Sequence, residues 1–128
     1  MAPPPIAGAL EVDFTGLRSA KGVLQVCLTR DANDFPDCRN AAQAIRRTIS
    51  AAHPRLRVEG LEPGTYALAV IHDANGNAKL DTMLGIPREG FGFSRNPAIG
   101  FGPPRFAAAG FTLGTDAQIQ QVRIRYLL

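Results

Sequence analysis

Leu10, Val12 and Phe14 alternate with Glu11, Asp13 and Thr15. A period of two marks a strand with one buried face. Gly16 to Gly22 reads as a turn, and Val23 to Thr29 is a second strand with Leu24, Val26 and Leu28 on one side. Two such runs joined by a short turn predict a hairpin. Asp31 to Asn40 is a polar loop around Phe35-Pro36. Ala44 to Ile49 reads as a short strand or a helical turn, because its alanine-rich surroundings favour helix while Ile45, Thr48 and Ile49 suit either state. Leu56 to Glu59 alternates again, with Leu56 and Val58 inward.

Leu61-Glu-Pro-Gly-Thr65 predicts a tight turn, in which Pro63 presets φ and Gly64 supplies the positive φ of a type II turn. Tyr66 to His72 follows as the most apolar strand. Tyr66, Leu68 and Val70 face one side and Ala67, Ala69 and Ile71 the other, which predicts a central strand. Tyr66, just past the turn, is placed to act as a corner tyrosine. Gly110 to Leu113 and Ile119 to Leu127 are the last strands, separated by Gly114-Thr115-Asp116. In the final one Val122, Ile124 and Tyr126 point inward while Arg123 and Arg125 point out. The sum is an all-β fold: an immunoglobulin-like, Greek-key β-sandwich of about seven strands with one long Gly/Pro/Phe-rich loop. No βαβ alternation appears, which disfavours a nucleotide-binding α/β fold. Residues 1–8 read as a flexible Pro-rich N-terminus and 9–128 as one domain.

Composition agrees with this picture. Hydrophobic residues make up 45% and charged residues 20% of the 128, which is globular rather than disordered. The longest apolar stretch, Tyr66 to Ile71, is far short of the ~20 residues of a membrane-spanning helix. The net charge of +3 is carried in scattered pairs, Arg46-Arg47, Arg55 with Arg57, and Arg123 with Arg125. Without a basic run or interleaved aromatics, nucleic-acid binding is not expected. Cys27 and Cys38 form an even count at short spacing near polar turns, which fits one disulfide closing a loop; the alternative is two unrelated thiols. A Pro-rich, uncharged start resembles a mature exported protein after signal-peptide cleavage, and a monomer is expected.

The segment from His72 to Phe106 holds the candidate chemistry. Gly85 to Pro104 contains five Gly, four Pro and three Phe. One reading is a binding loop that uses Phe91, Phe93 and Phe101 with His72, Glu89, Ser94 and Asn96; the other is a Phe-anchored cover over one end of the sandwich. Asp73, Asn75, Asn77 and Asp81 occupy positions 1, 3, 5 and 9 of a calcium-type loop, with Lys79 offering its carbonyl at position 7. Alternate oxygens on a curled loop converge on one hard cation. Ala78 replaces the usual turn glycine and Leu84 the closing Glu, so calcium would be held weakly. Asn75-Gly76 is also a strong hairpin signal, for which no ion is needed. His72 reads as a structural hydrogen-bonder, since His53 is the only other histidine and no nucleophile elbow, Walker loop or H-E-x-x-H is present.

The strings His72-Asp-x-Asn-x-Asn-x-x-Leu-Asp81, Gly85-Ile-Pro-x-Glu-Gly-Phe-Gly-Phe-Ser94 and Phe101-Gly-Pro-Pro-x-Phe106 resemble the bacterial exported family known as domain of unknown function 2141. Gly-Leu-x-Ser-x-Lys-Gly at 16–22, Phe35-Pro36 and Leu-x-Pro-Gly-Thr-Tyr-Ala at 61–67 extend the resemblance along the chain. It implies export, because members typically carry a signal peptide, and it implies no activity or ligand. The Pro-Gly-Thr-Tyr strand is also similar to transthyretin-like and carboxypeptidase-regulatory sandwich modules, a likeness of fold that does not assign function. The function expected is a periplasmic or secreted binding module for an unknown protein or small ligand, with 73–81 as a candidate weak calcium loop. The alternatives are a small hydrolase using His72, Asp73, Asp81 and Glu89, or a structural envelope domain.

Overall fold

The strand periodicities become ten strands and one short helix in the computed structural model, which describes residues 8–39, 44–75, 82–83, 86–87, 89–98 and 102–127. The elements are β1 (Gly8–Thr15), β2 (Val23–Thr29), β3 (Ala44–Ser50), β4 (Arg55–Leu61), β5 (Gly64–Asp73), β6 (Thr82–Met83), β7 (Ile86–Pro87), β8 (Gly90–Phe93), α1 (Phe106–Ala109), β9 (Phe111–Leu113) and β10 (Ala117–Arg123). One sheet has the order β10-β1-β4 and the other β3-β2-β5-β8, with β9 paired to the first residues of β5 and β6 paired with β7. The two larger sheets stack as an all-β sandwich, and the ambiguous 44–49 segment is a strand.

β5 is central, as its two apolar faces demand. Tyr66, Leu68 and Val70 join Leu10, Val12, Phe14, Leu24, Val26, Leu28, Val122 and Ile124 in the core between the sheets. Ala67 and Ala69, on the opposite face, lie in a second cluster with Cys27, Cys38, Phe93 and Ala109, against which Phe35, Phe91 and Phe106 pack. The small alanines let the 31–39 loop and α1 cover the outside of the sheet. Cys27 and Cys38 are joined in a disulfide with a Cα–Cα distance of 5.7 Å.

Two local expectations are corrected. β1 and β2 do not form a hairpin: β1 pairs with β10 in parallel and with β4 antiparallel, while β2 pairs with β3 and β5. Each strand carries one wholly apolar row. Placing the strands in opposite sheets buries both rows in one core, so residues 16–22 cross between layers. Gly64 does not supply a positive φ either; it opens β5, paired with Leu113. The left-handed residue nearby is Gly60, at φ 70°. Between the pairs Gly8↔Leu61 and Leu10↔Val58 the strand β4 carries one extra residue, a bulge whose conformation a glycine tolerates without strain.

Tyr66 does turn a corner. Its hydroxyl donates to the Glu62 carbonyl at 2.7 Å, and Arg30 lies over the ring at 5.6 Å. Burial pushes the phenol pKa up from 10.0, with the Glu62 carboxylate adding to the rise and Arg30 opposing it. A folded pKa above the unfolded one means that this contribution is complete below about pH 10 and fades as pH rises through the folded value. Tyr66→Phe is expected to cost about 1 kcal/mol at neutral pH. It should also flatten the alkaline loss of stability, measured as denaturation midpoints on either side of pH 10.

Candidate functional site

His72 sits at the end of β5 on the inward face, paired across β2 with Leu24 and across β8 with Gly90. Its side chain is 2% exposed. Nε2 lies 2.8 Å from the Lys21 carbonyl and Nδ1 lies 2.7 Å from the Tyr126 hydroxyl. A carbonyl only accepts, so Nε2 carries a proton and donates to Lys21; in the neutral imidazole Nδ1 then accepts from the Tyr126 hydroxyl. The Tyr126 oxygen in turn accepts the Arg18 backbone N–H at 3.1 Å, and the Arg18 guanidinium stacks 4.2 Å above the tyrosine ring. The two rings meet edge-on with centroids 6.0 Å apart. Both imidazole nitrogens are therefore spent on tying β5 to the 16–22 crossing and to the C-terminal segment.

Glycines make this end cap possible. On β8, Gly90 and Gly92 face inward and Phe91 and Phe93 outward. A Cβ on Gly90 would lie 2.5 Å from the Tyr126 ring, and one on Gly92 would lie 2.8 Å from the Arg123 carbonyl. The bare backbone lets the C-terminal segment close over β8, where Phe91 and Arg125 exchange two backbone hydrogen bonds of 3.0 and 2.9 Å. On the other side, Phe93 and Phe106 meet Phe35 edge-on at 5.9 and 6.0 Å, and Phe91 tilts against Phe93 at 6.1 Å. This is a Phe-anchored cover built over the outer face of the five-stranded sheet.

Ser94 and Asn96 hold that cover in place. The fully buried Ser94 hydroxyl accepts the Leu68 N–H at 2.9 Å and donates to the Ala109 carbonyl at 2.5 Å. Asn96 stands in the left-handed region at φ 47°, and its side chain imitates a strand. Nδ2 donates to the Gln121 carbonyl at 3.1 Å and Oδ1 accepts the Arg123 N–H at 2.8 Å, which occupies the free edge of β10.

Of the calcium-type set, Asp73 is buried at the end of β5 and Asn75 is exposed in the following turn. Asn77, Lys79 and Asp81 lie outside the described residues, as does Phe101 of the binding-loop set. Glu89 is buried next to β8. Among the described residues no three His, Cys, Asp or Glu side chains gather into a metal cluster. The Lys21 carbonyl and the Arg18 backbone N–H complete the His72 cap, and neither contact was legible in the sequence, because a backbone group leaves no signature in residue type. Tyr126 was legible only as an inward position; a buried histidine at one strand end and an inward tyrosine at another are the available hint that the two polar tips meet.

The fold and this end cap define a disulfide-bonded β-sandwich whose most conspicuous polar side chains are engaged in holding one end of it closed. No helix among the described residues is long and apolar enough to cross a membrane. The chain belongs to the family described as an uncharacterized protein conserved in bacteria, DUF2141, whose model matches residues 12–121. Comparisons with curated proteins and with solved structures returned no match.

Proposed function

We propose that the protein is an exported binding module and not an enzyme. The observation that carries this reading is the His72 geometry: the side chain best suited to acid–base work is buried, with both nitrogens hydrogen-bonded inside the protein. A general base needs a nitrogen within reach of the proton that it takes. Ser94 and both cysteines are committed in the same way, to backbone and to each other. The disulfide supports an oxidising compartment, periplasmic or extracellular, for a bacterial chain.

His72→Ala separates the two classes. It strands the Lys21 carbonyl and the Tyr126 hydroxyl and opens a cavity beneath Gly90, so a loss of about 2–3 kcal/mol is expected. Urea unfolding measures it. In parallel, the wild-type protein should not turn over p-nitrophenyl esters or phosphates above a buffer blank. Hydrolysis that disappears in His72→Ala while the unfolding midpoint stays in place would replace this reading with the hydrolase.

A further inference from the structure

β3 and β4 end their respective sheets and are joined through residues 51–54, so two strand edges lie along one side of the sandwich. They are not alike. Arg55 on β4 pairs with Asp13 at 3.5 Å; Arg57 pairs with Glu59 at 2.8 Å and also with Glu11. The hydrogen bonds to Glu59 and then Glu11 push the Arg57 pKa further up. That edge is neutralised from within. β3 contains Arg46 and Arg47 and no acidic residue, and among the described residues neither guanidinium has an ion pair.

The β3 backbone is also open. Ala51 donates its N–H to the Gly22 carbonyl, which fixes the phase of the β2–β3 ladder. Residues 45, 47 and 49 then turn their backbone groups toward β2, and Ala44, Arg46, Thr48 and Ser50 turn theirs outward. Among the described residues no strand pairs with these groups. At the end of this edge the Ser50 carbonyl accepts the His53 N–H at 3.1 Å, and at its middle the Arg47 guanidinium donates to the Arg46 carbonyl at 3.0 Å. On the inward face Arg47 is flanked by Ile45 and Ile49, which pack at the margin of the core and stay partly exposed.

We propose that the β3 edge binds an extended acidic segment of a partner protein by strand addition, which rests on the binding-module reading. Main-chain hydrogen bonds from Arg46 and Thr48 supply affinity, and alternate side-chain positions supply selectivity. A partner carboxylate takes the Arg47 guanidinium off the Arg46 carbonyl, and a partner N–H takes its place there. A second carboxylate meets Arg46 on the outer face, and β-branched residues two positions on either side of the first meet Ile45 and Ile49. A second copy of this chain fits poorly, because full-length antiparallel self-pairing of β3 is centred on Arg47 and sets like charges opposite each other.

The test uses the whole protein and a capped peptide, Thr-Val-Thr-Glu-Glu-Val-Thr, with the Lys-Lys version as its control. Amide hydrogen exchange is read by NMR at Arg46 and Thr48. Slowed exchange at both amides is expected with the Glu-Glu peptide, at about tenfold lower concentration than with the control, the discrimination two surface ion pairs provide. Arg46→Glu with Arg47→Glu should reverse the preference. No slowing at millimolar Glu-Glu peptide, or equal slowing by both peptides, would overturn the proposal. Slowing that grows with protein concentration alone would assign the edge to a second copy. Any of these leaves the His72→Ala result, and with it the non-enzymatic reading, untouched.

Discussion

Leu68→Ala is expected to lower the unfolding free energy by about 3–5 kcal/mol, among the largest single-residue losses in the chain. Leu68 is 0% exposed and lies at the centre of β5, in register with Leu28 on β2. Its side chain belongs to the cluster that joins both sheets, so neither layer can collapse into the gap without moving the other. Ile119→Ala deletes a similar volume from β10, but that side chain is 63% exposed. It should change stability by no more than about 0.5 kcal/mol. Urea unfolding of the two variants side by side checks the assignment of faces. Equal losses would mean that the interior has been placed on the wrong side of the strands.

Removing the disulfide should have the next largest effect. The bridge closes 11 positions of sequence, for which chain entropy predicts about 3 kcal/mol. Cys38 is 1% exposed and the 31–39 loop it anchors carries Phe35 against Phe93 and Phe106. Cys27→Ala with Cys38→Ala should therefore lower the urea midpoint and loosen the aromatic cover before the core between the sheets gives way. Phe35 and Phe93 resonances would report that order of loss. Intact mass of protein recovered from the periplasm should fall short of the reduced value by two hydrogens. Two alkylatable thiols in such a sample would remove both the stabilisation and the strongest support for an oxidising compartment.

Much of the sandwich was legible in the sequence, for a local reason. Alternation at Leu10–Phe14, Leu24–Leu28 and Tyr66–Val70 states which side chains go inward, and the structure buries those rows. The double-sided apolarity of 66–71 marked the central strand, and Tyr66 after Pro63-Gly64 marked the corner. Alternation does not say which strand lies alongside. The β1–β2 hairpin was the shortest connection, yet the ladders that formed join distant segments, and Gly60 rather than Gly64 took the left-handed conformation. The site was less legible still. Ser94 and Asn96 look like ligand-contacting groups in a loop. They serve as structural pegs because the backbone they satisfy, at Ala109, Gln121 and Arg123, lies 15 to 27 positions away. Residue type fixes what a side chain can bond; only the tertiary fold decides what it meets.

The parallel ladder between β1 and β10 has a consequence for how this chain comes to exist. The β1 residues from Ala9 to Thr15 each pair with one 108 positions later, from Ala9 with Ala117 to Thr15 with Arg123. Contacts of such range are the slowest to form, because the loop entropy is lost before any contact repays it. A polypeptide still emerging from the ribosome has β1 but lacks the strand that completes it, along with the Val122 and Ile124 side chains that close the core. The native state can be reached only once the last strand is free. Until then the chain remains threadable, the condition in which a polypeptide passes end-first through a narrow translocation channel.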